Sequence, residues 1–368
     1  MPSPKPDSPV SELQNPPTNL EAPTNVLTTD NPIEAEEAGQ DENEDGGYES
    51  DQVSTSSTSI SSSIRNHTFE DGIRYHRFHD GQYAFPNDEN EQNRDDMKHA
   101  MTLLLCGQRL HFAPIGESPQ RIIDLGTGTG IWAIEMADTY PSAEIIGIDL
   151  SPIQPPWVPP NLRFIIDDLE EEWVYPENHF DYVHVRHTLH SIRKPEALME
   201  RAMKHLKPGG WVEFQELHYY PHCDDESLNR PYAVREWLEY VRDGVANFGS
   251  DLNGVAKLRA KMEAAGYTNI EEQMLRCPIG TWPRNRTLKL AGLYWRTAIS
   301  DGLMSVAKRP MEKGLGWSVA EIEVFLVEVR KALHDSSFHS YMPLHMLYGQ
   351  KPLGKTTPID IDEGVSEA

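Results

Sequence analysis

The chain has 368 residues, with 58 acidic against 33 basic side chains and a formal net charge of −25. That balance excludes nucleic-acid binding through a basic surface, because neutralising phosphates takes clustered Lys and Arg. No apolar run is long enough to cross a bilayer, and the N-terminus lacks the apolar core of a signal peptide. The three cysteines (Cys106, Cys223, Cys277) are odd in number and far apart, which argues against a disulfide framework. A soluble chain with reduced thiols, in the nucleus or the cytoplasm, is expected.

Residues 1–68 are rich in Pro, Ser and Thr and hold thirteen acidic residues against Lys5 and Arg65. Apolar residues there are too sparse to offset the entropy of ordering, so the stretch is expected to be disordered. The serine run 54–63, beside the acidic patch 41–51, reads as a phosphorylation or docking tail, or as a plain solubilising one. From residue 69 the aromatic content rises (Tyr75, Phe78, Tyr83, Phe85), and Pro86-Asn87-Asp88 signals a helix start. The helix is predicted over 88–112, with Met97, Met101, Leu104 and Leu105 on its apolar stripe.

The stretch 121–131, R-I-I-D-L-G-T-G-T-G-I, reads as a buried parallel strand running into a glycine loop and a helix. Gly126, Gly128 and Gly130 let the backbone turn sharply and approach a ligand, while Thr127 and the helix start offer hydrogen-bonding groups. A dinucleotide fingerprint would need a small residue where Ile131 stands. Asp124, before the first glycine, would repel a pyrophosphate and suits a cation, so the pattern points to a nucleoside carrying an amino group. The second strand is predicted to end in Asp149, next to Leu150, at the position from which a carboxylate accepts from ribose hydroxyls. The proline-rich loop 151–160 carries Trp157, expected as a packing anchor.

A third strand ends at Asp167-Asp168-Leu169, and a fourth delivers Arg186, His187 and His190 to the carboxyl ends of the strands, where open α/β sheets bind ligands. His184, His187 and His190 are evenly spaced. Strand alternation nevertheless separates the first two, and no cysteine pair helps, so no metal site is expected. His187 or His190 is a candidate proton acceptor, against a structural hydrogen-bonding role; Arg186 is a candidate for a ligand carboxylate or for bracing the loop. A helix over 195–205 stops at Lys207-Pro208-Gly209-Gly210, read as a turn before strand five. Glu216, His218 and Tyr219 at that strand's end are candidates for contacting an acceptor. Beyond residue 221, helices are predicted near 231–247, 253–265, 287–304 and 321–333, with closing strands near 270–279 and 338–348. Ser318 and Glu321 form a capping box, and Trp282, Tyr294 and Trp295 line an acceptor pocket or pack in the core.

Taken together, the glycine loop, I-G-I-D-L-S-P-I-Q-P-P-W, F-I-I-D-D-L-E-E-E-W, F-D-Y-V-H-V-R and K-P-G-G-W-V-E-F-Q-E resemble the LaeA-like (UMTA-type) fungal branch of class I S-adenosylmethionine-dependent methyltransferases. The resemblance covers about residues 75–216. It implies an α/β fold with a doubly wound, mostly parallel seven-stranded sheet, an antiparallel C-terminal hairpin and helical lid insertions. The implied layout is a tail over 1–68, a helical lid over 69–116, a methyltransferase domain over 117–352 and a flexible end over 353–368. S-adenosylmethionine is the implied cofactor, with Asp168 accepting from the adenine amino group, Leu169 pairing through its backbone, and Tyr83 and Asn87 as lid residues. The acceptor is a small molecule or a protein. The implied role is regulation of fungal secondary metabolism and development in a nuclear protein complex; the alternatives are a biosynthetic-pathway methyltransferase and a non-catalytic scaffold.

Overall fold

The computed structural model describes residues 31–36, 67–70, 73–76 and 87–354. Runs such as Ile122-Ile123 and Ile145-Ile146 are apolar on both faces, and they form the middle of a sheet covered on each side. The parallel strands are β3 (Arg121–Leu125), β4 (Glu144–Asp149), β5 (Leu162–Ile166), β6 (Phe180–Arg186) and β7 (Leu206–Leu217). With β8 (Thr268–Pro278) and β9 (Tyr341–Gln350) they make a seven-stranded sheet of order β5-β4-β3-β6-β7-β9-β8. Only β9 runs against its neighbours, which gives the expected doubly wound sheet with its antiparallel closing pair.

Strand alternation divides the core. Ile122, Ile145 and Tyr182 pack on Trp132, Ala133 and Met136 of α2 (Ile131–Thr139). Ile123, Ile146 and Val183 pack on Leu198 and Met199 of α3 (Pro195–His205) and on Leu258 and Met262 of α5 (Leu258–Ala264). A third layer joins α1 (Glu89–Leu105) to α4 (Ala233–Ala246), α6 (Arg286–Lys308) and α7 (Val319–His334) over the carboxyl ends of the strands. Truncating a fully buried member such as Ile123 to Ala would cost about 2–5 kcal/mol.

Several local expectations are corrected. The region before α1 contains an antiparallel ribbon, β1 (His67–Glu70) with β2 (Ile73–His76), and is therefore not purely helical. Asp88 caps α1 by accepting from Glu91 N, yet the helix ends at Leu105, short of residue 112, because Gly107 and Gln108 adopt left-handed backbone. The Lys207–Gly210 turn is absorbed into β7 as an irregularity: Leu206 pairs with Phe180, and Trp211 already pairs with Tyr182. Trp157 is no anchor: its residue is 90 % exposed, so no neighbour covers the indole.

The acidic tail also departs from expectation at residues 31–36. Ala35 bridges Pro283 in antiparallel fashion, with Glu36 N donating to Trp282 O and Arg284 N to Glu34 O, both at 2.9 Å. Arg276 donates to Asn31 O, and Ile33 packs on the C-terminal core. Backbone pairing plus one apolar side chain outweighs the acidic composition over this strap.

α6 passes into a π-turn over Arg309–Gly314, and Gly244 of α4 lies directly against it. A Cβ at Gly244 would stand 2.3 Å from Pro310 O. Gly244→Ala is therefore expected to destabilise the fold by about 1–3 kcal/mol, despite alanine's better helix propensity. An undiminished melting temperature would mean that this crossing has slack.

Candidate functional site

At the end of β3 the chain must turn under the edge of β4 and β5. Gly126, Gly128 and Gly130 take φ of 73°, 58° and 83°. A Cβ at Gly130 would lie 2.3 Å from the Phe164 ring, and one at Gly126 would lie 2.4 Å from Thr188 Oγ1, so both positions exclude a side chain. Asp124, buried below the loop, binds His184 Nδ1 at 2.7 Å through one oxygen and accepts from Thr127 Oγ1 at 2.6 Å through the other. His184 stacks on Trp132 at 3.5 Å and is thereby committed to the core. Among the described residues, no group of His, Cys, Asp or Glu side chains is arranged as metal ligands.

Asp149 accepts from Gly128 N at 2.8 Å and from Ser151 N at 2.9 Å. Burial pushes its carboxyl up to about 7 against the lowering effect of those two bonds. Each oxygen keeps a second lone pair for a ligand hydroxyl. Asn87, inside the wall, donates to Ser151 Oγ at 3.1 Å and so ties the start of α1 to the loop after β4. Asp168 and Leu169 border the same cavity as Asp149 and Leu150; Asp167 does not, its carboxylate being turned to Asp168 N at 2.9 Å. Arg186 borders the cavity too, and its guanidinium donates to His99 Nδ1 at 2.8 Å. Burial and the nearby Arg186 hold His99 down at about 3, so its ring is a neutral acceptor.

His187, with φ of 50°, and His190 stand where β6 gives way to a short 3-10 turn (Leu189–Ser191), and both border the cavity. Glu216 does not reach it. Its Oε1 accepts from Thr188 N and Leu189 N, each at 3.0 Å, and so clamps the turn that presents the two histidines. His218 also lies outside the cavity, among Tyr220, His222 and His345, whereas Tyr219 borders it and meets His190 edge-on at 5.6 Å. Trp295 borders the cavity as well. Trp282 instead donates to Ser340 O at 3.0 Å, and Tyr294 packs in the C-terminal core. Tyr83 lies outside the described residues.

Two parts of the wall have no counterpart among the residues singled out from sequence. One is Glu91, Arg94, Asp95 and Lys98 on α1; the other is Leu238 and Val241 on α4, beside Trp237, which the sequence marks only as a buried residue of its helix. The α1 group recurs at helical spacing but has the pattern of an ordinary solvated face, and the α4 group has that of ordinary core.

Glu216→Ala orphans two backbone donors and is expected to cost about 1–3 kcal/mol for each, read as a lowered melting temperature. Glu216→Gln keeps an acceptor and should lose less. Burial raises Glu216 to about 7, so the folded state holds a proton that the unfolded chain releases at its lower carboxylate pKa. This contribution to stability therefore falls as pH rises through 7, and the slope should be absent from Glu216→Gln in paired melts between pH 5 and 8.

A family model described as "Methyltransferase domain" matches residues 97–272. Methyltransferase pytC of Aspergillus terreus is 34 % identical over 81 % of this chain and 92 % of its own length. Secondary metabolism regulator LAE1 of Cochliobolus heterostrophus is 34 % identical over 77 % of this chain and 94 % of its own. Protein-methionine methyltransferase laeA of Emericella nidulans is 32 % identical over 77 % of this chain and 76 % of its own. With the glycine loop, the strand-end acids and the seven-stranded sheet in one arrangement, the chain belongs to the LaeA-like family of S-adenosylmethionine-dependent methyltransferases.

Proposed function

We propose that the chain transfers a methyl group to an acceptor held beneath α4 and α6, and that this reaction serves the regulation of fungal secondary metabolism. One observation carries the reading. A continuous cavity runs from the glycine loop and the ends of β4 and β5 to an apolar wall that includes Trp237, Leu238, Val241 and Ile299. S-adenosylmethionine supplies an electrophilic methyl on a sulfonium that is already a good leaving group. The protein's part is then to position the two partners and exclude water. Asp149 suits the ribose hydroxyls, Asp168 and the Leu169 backbone suit the adenine edge, and Arg186 suits the carboxylate.

The likeness to LAE1, a secondary metabolism regulator, supports a regulatory role; the nucleus and a protein complex are the setting we propose for it. The aromatic-lined cavity supports a second role, methylation of one metabolite within a pathway. Deleting the gene separates them. Regulation predicts altered transcripts from several biosynthetic clusters, whereas a pathway role predicts one unmethylated intermediate and unchanged transcripts elsewhere.

Calorimetry should show micromolar binding of S-adenosylmethionine to the wild type and at least about 100-fold weaker binding to Asp149→Ala, the lower end of what two lost hydrogen bonds to a charged group are worth. Because Asp149 titrates near 7, wild-type affinity should fall about tenfold from pH 8 to pH 6 as the carboxylate takes up a proton. Asp149→Asn should show only the titration of the donor's own amine. Identical pH profiles for the two proteins would remove Asp149 from the ribose site.

A further inference from the structure

Helix α1 is fastened to both halves of the cavity. On the cofactor side Asp96 accepts from Thr129 Oγ1 at 2.9 Å, and His99 accepts from Arg186. Asp95 rests on the glycine loop, since a Cβ at Gly128 would lie 3.3 Å from its Oδ2. On the acceptor side Arg94, only 6 % exposed, crosses to α6, where its Nε donates to Ala298 O at 2.6 Å. Glu91, one turn earlier on α1, holds the same guanidinium through Nη1. Ala298 O lies inside α6, where the helix ladder already gives it the N–H of residue 302. Its second lone pair is free to accept, but in a helix the side chain four residues on leans over that carbonyl. Residue 302 is glycine, and a Cβ there would run into the Arg94 guanidinium. Glycine inside a helix costs about 1 kcal/mol relative to alanine; here it opens the notch that Arg94 fills. Met101 and Leu105 of α1 also share a core with Ala291 and Trp295 of α6. Apolar contact is non-directional and lets two helices slide, whereas the guanidinium bond fixes their relative height.

Resting on the methyltransferase reading, we propose that Arg94 is a positioning residue, which carries the seating of α1 on the filled cofactor loop across to α6. The stretch of α6 that bears Trp295 and Ile299 into the cavity then takes its working height only once the cofactor is bound. In-line transfer needs the acceptor atom about 3–3.5 Å from the methyl carbon, and a misplacement of about 1 Å costs about 100-fold in rate. A wall set by the same helix that lies on the cofactor loop keeps that distance. Cofactor-first binding follows, because the acceptor meets a formed wall only after α1 is held down.

The full chain is first titrated with S-adenosylhomocysteine; failure to bind sinks the methyltransferase reading, and this proposal with it. Amide hydrogen exchange is then compared with and without that ligand. In the wild type the ligand should slow exchange in α1 and also, by about fivefold or more, at residues 294–302, the low end of usual coupling between sites. In Gly302→Ala the new methyl displaces a guanidinium at the end of a flexible stem, so the fold and the ligand's affinity persist. Exchange in α1 should still slow there, while that at 294–302 should not. Arg94→Met should behave likewise, and Arg94→Lys, which keeps a donor beside Glu91, should recover part of the effect. Combining Gly302→Ala with Arg94→Met should lose no more than either alone, as expected of two changes at one joint. Three results overturn the proposal: no slowing at 294–302 in the wild type, slowing that survives in Gly302→Ala, or an Arg94→Lys variant no better than Arg94→Met. Survival in Gly302→Ala would mean that the ligand touches α6 directly or that apolar packing carries the coupling.

Discussion

Buried carboxylates that accept from backbone N–H groups hold the working end of this molecule together. Asp149 takes the donors of Gly128 and Ser151, and Glu216 takes those of Thr188 and Leu189. Glu213 takes those of Phe112 and Ala113, as well as the Tyr182 hydroxyl at 2.9 Å. Asp149 and Glu216 stand at strand ends, where a loop leaves the ladder and its N–H groups lose their regular partners, while Glu213 reaches from the middle of β7 to the segment after α1. Burying a carboxylate is costly. Accepting from several donors per group offsets part of that cost and fixes the loops to the sheet, and the remainder shows as the raised carboxyls of Asp149 and Glu216.

The odd spacing of Glu213 and Glu216 on β7 gives these acids their division of labour. Side chains three apart on a strand point to opposite faces. Glu213 therefore anchors the segment arriving from α1, and Glu216 anchors the turn carrying His187 and His190. One strand thus sets the height of the lid on one side of the sheet and the position of two cavity histidines on the other.

Much of this was readable in the sequence, where local chemistry decides the outcome. The run of β3, glycine loop and α2 follows from apolar residues, three glycines and a helix start. The capping box of Ser318 and Glu321 follows from spacing alone. Other features depend on pairings distant in the chain. Nothing near Trp157 says that no surface will meet it, and nothing near Glu216 says that its oxygen is claimed by Thr188 and Leu189. Arg94 has the setting of a solvated side chain in its helix, yet it donates to Ala298 O, 204 residues away. The cofactor side is built from consecutive strand ends and so is local in sequence. The acceptor side is assembled from α1, α4, α6 and β9, and hence is not.

The strap at residues 31–36 also carries charge to the start of α6. Glu34 pairs with Arg284 at 3.5 Å and Glu36 pairs with Lys289, while the bridge between Ala35 and Pro283 is made by the backbone. Salt screens exposed ion pairs and leaves backbone hydrogen bonds in place, so raised ionic strength loosens the strap's side chains and spares its register.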